Sequence, residues 1–89
     1  MRLDVFLKQV GLVKQRSRAK EICDGGAVWV EGKKAKAGKE IDRGLTVTVE
    51  LKDEILELKI IDLPGRSYRR KDGENFYHVL RRERKDPFL

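Results

Sequence analysis

The apolar residues of this chain change period at Gly25-Gly26, and that change constrains the fold more than any other feature. Before the two glycines, Leu3, Phe6, Leu7 and Val10 recur at i, i+3, i+4 and i+7, one face of an α-helix, while Asp4, Lys8 and Gln9 fall off that face. Gly11 permits the helix to stop. A second helix is predicted roughly from Arg16 to Asp24, with Ala19, Ile22 and Cys23 as its apolar stripe. The turn from Leu12 to Gln15 is short, so the helices must cross as a compact pair, with small Ala19 allowing close approach. Leu12 and Val13 are read as core.

Beyond the glycines the period becomes that of strands. Ala27 to Val30 is strand-forming, Glu31-Gly32 reads as a hairpin turn and Lys33 to Ala37 as a return strand. Leu45, Val47, Val49 and Leu51 alternate strictly with polar residues. Lys52-Asp53-Glu54 then joins them to a strand from Ile55 to Leu63 that carries Leu56, Leu58 and Ile60. Its phase is ambiguous, because adjacent Ile60 and Ile61 cannot both face one side of a sheet. Pro64-Gly65 ends the sheet. Asp72 is read as the N-cap of a short C-terminal helix with a Phe76, Val79, Leu80 stripe, docked on the sheet and loaded in its last turn with Arg81, Arg82, Arg84 and Lys85, which favour the helix dipole as well as phosphate. The expected class is α+β, with residues 1–63 as the main domain and 64–89 as a basic loop and helical extension packed on it. Asp86-Pro87-Phe88-Leu89 is read as a frayed end.

Charge narrows the partners. Residues 1 to 20 carry six Lys/Arg against one acid, 21 to 63 seven against ten, and 64 to 85 eight against three. Two basic blocks flanking a slightly acidic centre favour a partner with an array of phosphates, since grouped cations steer association and release condensed counterions. With 89 residues there is room for one small core but not for a deep substrate cleft beside it. No apolar run approaches a membrane span, and the start reads as an amphipathic helix and not as a signal sequence, so a cytoplasmic protein is expected. Cys23, the one cysteine, is read as a buried structural thiol, and His78 has no second ligand at metal-site spacing. No catalytic residue, metal or cofactor is expected. No glycine-rich cofactor loop and no nucleophilic constellation is present.

Arg2-Leu3-Asp4, Leu7, Leu12, Arg16, Ala19, Ile22, Gly26, Val28, Val30, Gly32, Lys36 and Gly44 together resemble the RNA-binding domain first recognised in ribosomal small-subunit protein four, the S-four domain. The match continues through Lys14-Gln15-Arg16, Ala19-Lys20-Glu21, Ala35-Lys36-Ala37 and Asn75-Phe76-Tyr77 ahead of Leu80, and in these it resembles the stand-alone bacterial members of the family. The resemblance implies two helices packed on a small antiparallel sheet, with the second helix and its neighbouring loop contacting structured RNA. It further implies a monomer that binds ribosomal RNA and transfer RNA on large ribosomal subunits carrying a stalled nascent chain, alongside a quality-control partner protein. An alternative is an RNA-binding accessory to an RNA-modifying or other translation enzyme on a separate chain. The chain departs from the family pattern at Gln15, at Leu45, and at Glu31, where a carboxylate beside phosphate repels.

The residues expected to contact phosphate and sugar are Arg2, Lys8, Lys14, Arg16, Arg18 and Lys20, extended by Lys33, Lys34 and Lys36 in the hairpin and by Arg69 and Arg70 in the basic loop. Arg16 ranks first, because a guanidinium fork at the start of the second helix can reach a phosphate there. An internal pair with Asp4 is the competing reading, and it would orient Arg16 without excluding RNA. Trp29 is expected to fill core or rim, with base stacking as the alternative. Tyr68 sits in the basic loop as a second aromatic candidate.

Overall fold

The computed structural model describes residues 1–64 and 76–85. Helix α1 spans Leu3–Gln9 and helix α2 spans Arg16–Asp24, where the apolar spacing places them. Helix α2 ends in a Schellman turn. Gly26 takes φ +85°, its N–H donates to the Cys23 carbonyl at 3.0 Å, and the Ala27 N–H donates to the Ile22 carbonyl at 2.9 Å. The left-handed backbone is what glycine supplies there, and it turns the chain from helix into sheet.

Five strands follow: β1 Val28–Val30, β2 Lys33–Lys34, β3 Thr46–Glu50, β4 Glu54–Ile60 and β5 Tyr77–Arg84. They form one antiparallel sheet in the order β2-β1-β3-β4-β5. Val28 and Val30, Val47 and Val49, and Leu56, Leu58 and Ile60 all point to one face, where they bury against Leu3, Phe6, Leu7, Val10, Ala19 and Cys23 of the helical layer. Burying such side chains contributes roughly 1.5–3 kcal/mol each. The ambiguous phase of β4 is settled by this core. Ile60 enters it, and Ile61 lies 52% exposed. Val13 is core as expected, whereas Leu12 is only partly buried against it.

Strand β5 corrects the expected C-terminal helix. Tyr77, His78 and Val79 pair with Ile60, Lys59 and Leu58, the register slips at Leu80, and Arg81 to Arg84 pair with Glu57 to Glu54. The aromatic and β-branched residues at Phe76, Tyr77 and Val79 suit a strand, and the otherwise open edge of β4 offers ladder hydrogen bonds that a docked helix cannot use. The i, i+3, i+4 stripe misled because a bulge at Leu80 interrupts the alternation that would have marked a strand. The proposed cap, Asp72, lies outside the described residues.

Main-chain bonds stitch the start of α1 to the segment after β2. The Leu3 N–H donates to the Lys39 carbonyl at 2.8 Å, the Asp4 N–H to the Ala37 carbonyl at 3.1 Å, and the Ile41 N–H to the Met1 carbonyl at 2.9 Å. The return strand is therefore shorter than expected. After a last bond from the Ala35 N–H to the Val28 carbonyl at 3.0 Å the chain leaves the sheet edge, with Ala35 and Ala37 buried in the core.

Candidate nucleic-acid interface

The site is organised by one buried carboxylate. Asp4 is 1% exposed, and its Oδ1 accepts from the Val5 N–H at 2.9 Å and from Arg2 Nε at 3.1 Å. Its Oδ2 accepts from Arg2 Nη2 at 3.3 Å and from Arg16 Nε at 3.4 Å. Burial works against ionisation of Asp4 and is the largest single influence on it. The hydrogen bonds from Arg2, Val5 and Arg16, together with the Arg2 charge, outweigh it and hold the carboxyl below its ordinary value. The two arginines remain 44% and 58% exposed. Each anchors an edge of its guanidinium on Asp4, and its remaining donors stay open to a partner.

From Arg16 one face of α2 leads to the post-hairpin loop. Lys20 and Asp24 follow at i+4 and i+8 on the same side, a span of about 12 Å. At the far end Lys36 Nζ donates to the Asp24 carbonyl at 3.2 Å, and the Ala37 N–H donates to the Asp24 carboxylate at 3.0 Å. Arg2, Arg16, Lys20 and Lys36, which are far apart in sequence, thus border one surface where α1, α2 and the post-hairpin loop meet.

The other expected contact residues are distributed differently. Lys8 is exposed in the last turn of α1. Lys14 and Arg18 face an apolar trough on a different side of α2, and Arg18 also pairs with Glu21 at 3.1 Å. Lys33 and Lys34 are exposed on β2, with Lys34 in register with Trp29. Arg69, Arg70 and Tyr68 lie outside the described residues. Trp29 is not core. It is half-buried on the sheet face away from Val28 and Val30, between Lys34 and Thr48. Cys23 is buried, its thiol pushed up to about 11 by burial and then by the charges of Asp4 and Asp24, which suits a packing role and not a nucleophilic one.

Glu31 sits in the two-residue turn between β1 and β2 with φ +51°, followed by Gly32 at φ +79°. These are the positive φ values of a hairpin turn that asparagine or glycine fills more readily. Its carboxylate does not extend toward solvent alone. Oε1 accepts from the Thr46 N–H at 2.7 Å while the Glu31 N–H donates to the Thr46 carbonyl at 2.8 Å. The negative charge is thereby drawn back onto the start of β3.

Sequence reasoning named no contact residue on the β3–β4 turn, and it read Arg82 and Arg84 only as cations in the last turn of a helix, favourable to its dipole and to phosphate. Lys52, Arg82 and Arg84 nevertheless line one trough with Lys14. The second basic block was the only signal, since their gathering depends on sheet pairing.

Comparison with known proteins supplies the family and the fold. The S4 domain model, the S-four family introduced above, matches residues 1–47. A Helicobacter pylori protein named RQC P-site tRNA stabilizing factor is 44% identical over 81% of this chain and 87% of its own length. A Bacillus subtilis protein of the same name is 32% identical over 94% of this chain and 96% of its own. Among solved structures, trimeric heat shock protein 15 of Vibrio cholerae superposes with a TM-score of 0.79 at 25% identity, covering 89% of this chain and 80% of that one. The solution structure of a hypothetical protein superposes at 0.75 with 39% identity, covering 93% of this chain and 100% of that one. The Asp4 clasp, the helix pair and the hairpin all fall within the matched residues, and the chain belongs to the S4 domain family.

Proposed function

We propose that this chain is a non-enzymatic, cytoplasmic RNA-binding protein that acts as a monomer on the large ribosomal subunit, holding ribosomal RNA and transfer RNA where a nascent chain has stalled. The observation that carries the reading is the buried Asp4 carboxylate, which fixes Arg2 and Arg16 side by side at the surface with donors to spare. A pre-oriented guanidinium pair gives up little side-chain freedom on meeting phosphate oxygens. Lys20 and Lys36 extend the contact along α2. The names of the Helicobacter and Bacillus relatives supply the ribosomal setting.

Recognition by such a surface is of RNA shape. The four cations address backbone phosphates, and among the described residues no aromatic side chain stands beside them to stack an unpaired base. Crosslinking of bound RNA in cells, followed by sequencing, tests the reading. Reads concentrated in large-subunit ribosomal RNA and in transfer RNA are expected. Reads spread over messenger RNA in proportion to abundance would reject it.

A further inference from the structure

The trough beside the proposed RNA surface has a composition that RNA binding does not use. Its floor is Leu12, Ile22 and Leu51, each half-buried against the core and each leaving an apolar side uncovered. It measures about 450 Å³ between the α1–α2 turn, α2 and the β3–β4 turn, and it continues past Lys52 toward Arg82 and Arg84 on β5. The rim is cationic. Glu54 and Glu50 are already matched by Arg82 at 3.3 Å and Lys85 at 3.3 Å, whereas Lys14, Lys52 and Arg84 have no acidic partner among the described residues. Asp53, at the apex of the turn, is the one acid on the rim without a cation partner among those residues. The bulge at Leu80 sets this arrangement, because Arg82 falls opposite buried Leu56 and so lies on the helix side of the sheet.

We propose that this trough is a docking site for an acidic amphipathic segment of a partner protein, distinct from the Arg2–Arg16 surface. An apolar floor gains most from covering aliphatic side chains, at about 25 cal/mol per Å² removed from water, and a phosphate backbone offers it none. Among the described residues no aromatic lines the trough to stack a base, which removes the usual reason for an apolar patch in a single-strand RNA site. Cations along both walls select the occupant by charge. A helix carrying leucines at i, i+3, i+4 and i+7 with glutamates on its flanks matches both requirements.

The test uses the full chain and a synthetic fluorescent peptide of that leucine–glutamate pattern, with a version carrying lysine in place of glutamate as control. Amide chemical shifts map the contact, anisotropy gives affinity, and transfer RNA is added as competitor. Shifts confined to the neighbourhood of Leu12, Ile22 and Leu51 are expected. The lysine peptide should fail, and Lys52→Glu with Arg84→Glu should weaken the glutamate peptide about tenfold or more while leaving transfer-RNA affinity within about twofold. Both substituted residues are exposed, and a thermal melt checks the fold. Absence of glutamate-peptide binding overturns the proposal, as does equal binding of the lysine peptide. Displacement of the peptide by transfer RNA, with RNA affinity lost in the double variant, would assign the trough to RNA instead.

Discussion

Replacing Arg16 by alanine separates what this residue does for RNA from what it does for the fold. Arg16 is 58% exposed and gives Asp4 a single bond of 3.4 Å, while Arg2 at 3.1 and 3.3 Å and the Val5 N–H at 2.9 Å stay in place. A partly exposed ion pair contributes about 0–1 kcal/mol, so the melting temperature should fall by no more than roughly 4–8 °C. The lost charge-assisted contact to phosphate, by contrast, should cost about 1–3 kcal/mol of RNA affinity, a factor of roughly 5 to 150. Differential scanning fluorimetry beside filter binding to ribosomal RNA reads both quantities on one preparation. Unchanged affinity, or a melt lowered in step with affinity, would refute the argument, because Arg16 would then be either idle or merely structural.

Binding should weaken steeply with salt. Phosphate contacts by Arg2, Arg16, Lys20 and Lys36 imply a log–log slope of roughly −3 to −4, reduced by about one unit in Arg16→Ala, and a flat titration would point to an apolar interface. Stability should depend on pH through Asp4, whose folded pKa is lowered from 3.8, so its contribution is full above that value and is lost as pH falls through the lower folded value. Urea melts in acid should therefore show a limb that Asp4→Asn flattens, at a cost of about 1–3 kcal/mol near neutral pH. Gly26→Ala should destabilise by about 1–2 kcal/mol, since its φ of +85° suits no L side chain, and a melt equal to the parent's would contradict the Schellman turn.

The helix pair was legible because Leu3, Phe6, Leu7 and Val10, then Ala19 and Cys23, keep a helical period up to glycines that end each run. The Glu31-Gly32 turn was legible from its dipeptide, even though glutamate is a poor occupant of its positive φ. Strand β5 was not, because a single bulged leucine breaks the alternation and mimics a helical stripe. At the site, the pairing of Arg16 with Asp4 could be anticipated, but its convergence with Arg2 and with Lys36, which reaches the end of α2 from the post-hairpin loop, could not. That convergence depends on the main-chain bonds tying residues 37–41 to the start of α1. Glu31 was read as a repulsive tip, and nothing in the sequence locates the Thr46 N–H that draws its carboxylate back.

Gradient sedimentation with purified large subunits tests the central claim most directly, comparing empty particles with particles that carry peptidyl-transfer RNA. A surface that engages ribosomal RNA and transfer RNA together gains avidity only when both are present. Stronger co-sedimentation with the loaded particles is expected, and neutralising Arg2 and Arg16 together should erase that preference before it abolishes binding to the subunit. Equal binding to loaded and empty particles would contradict the account and leave a general ribosomal-RNA binder in its place.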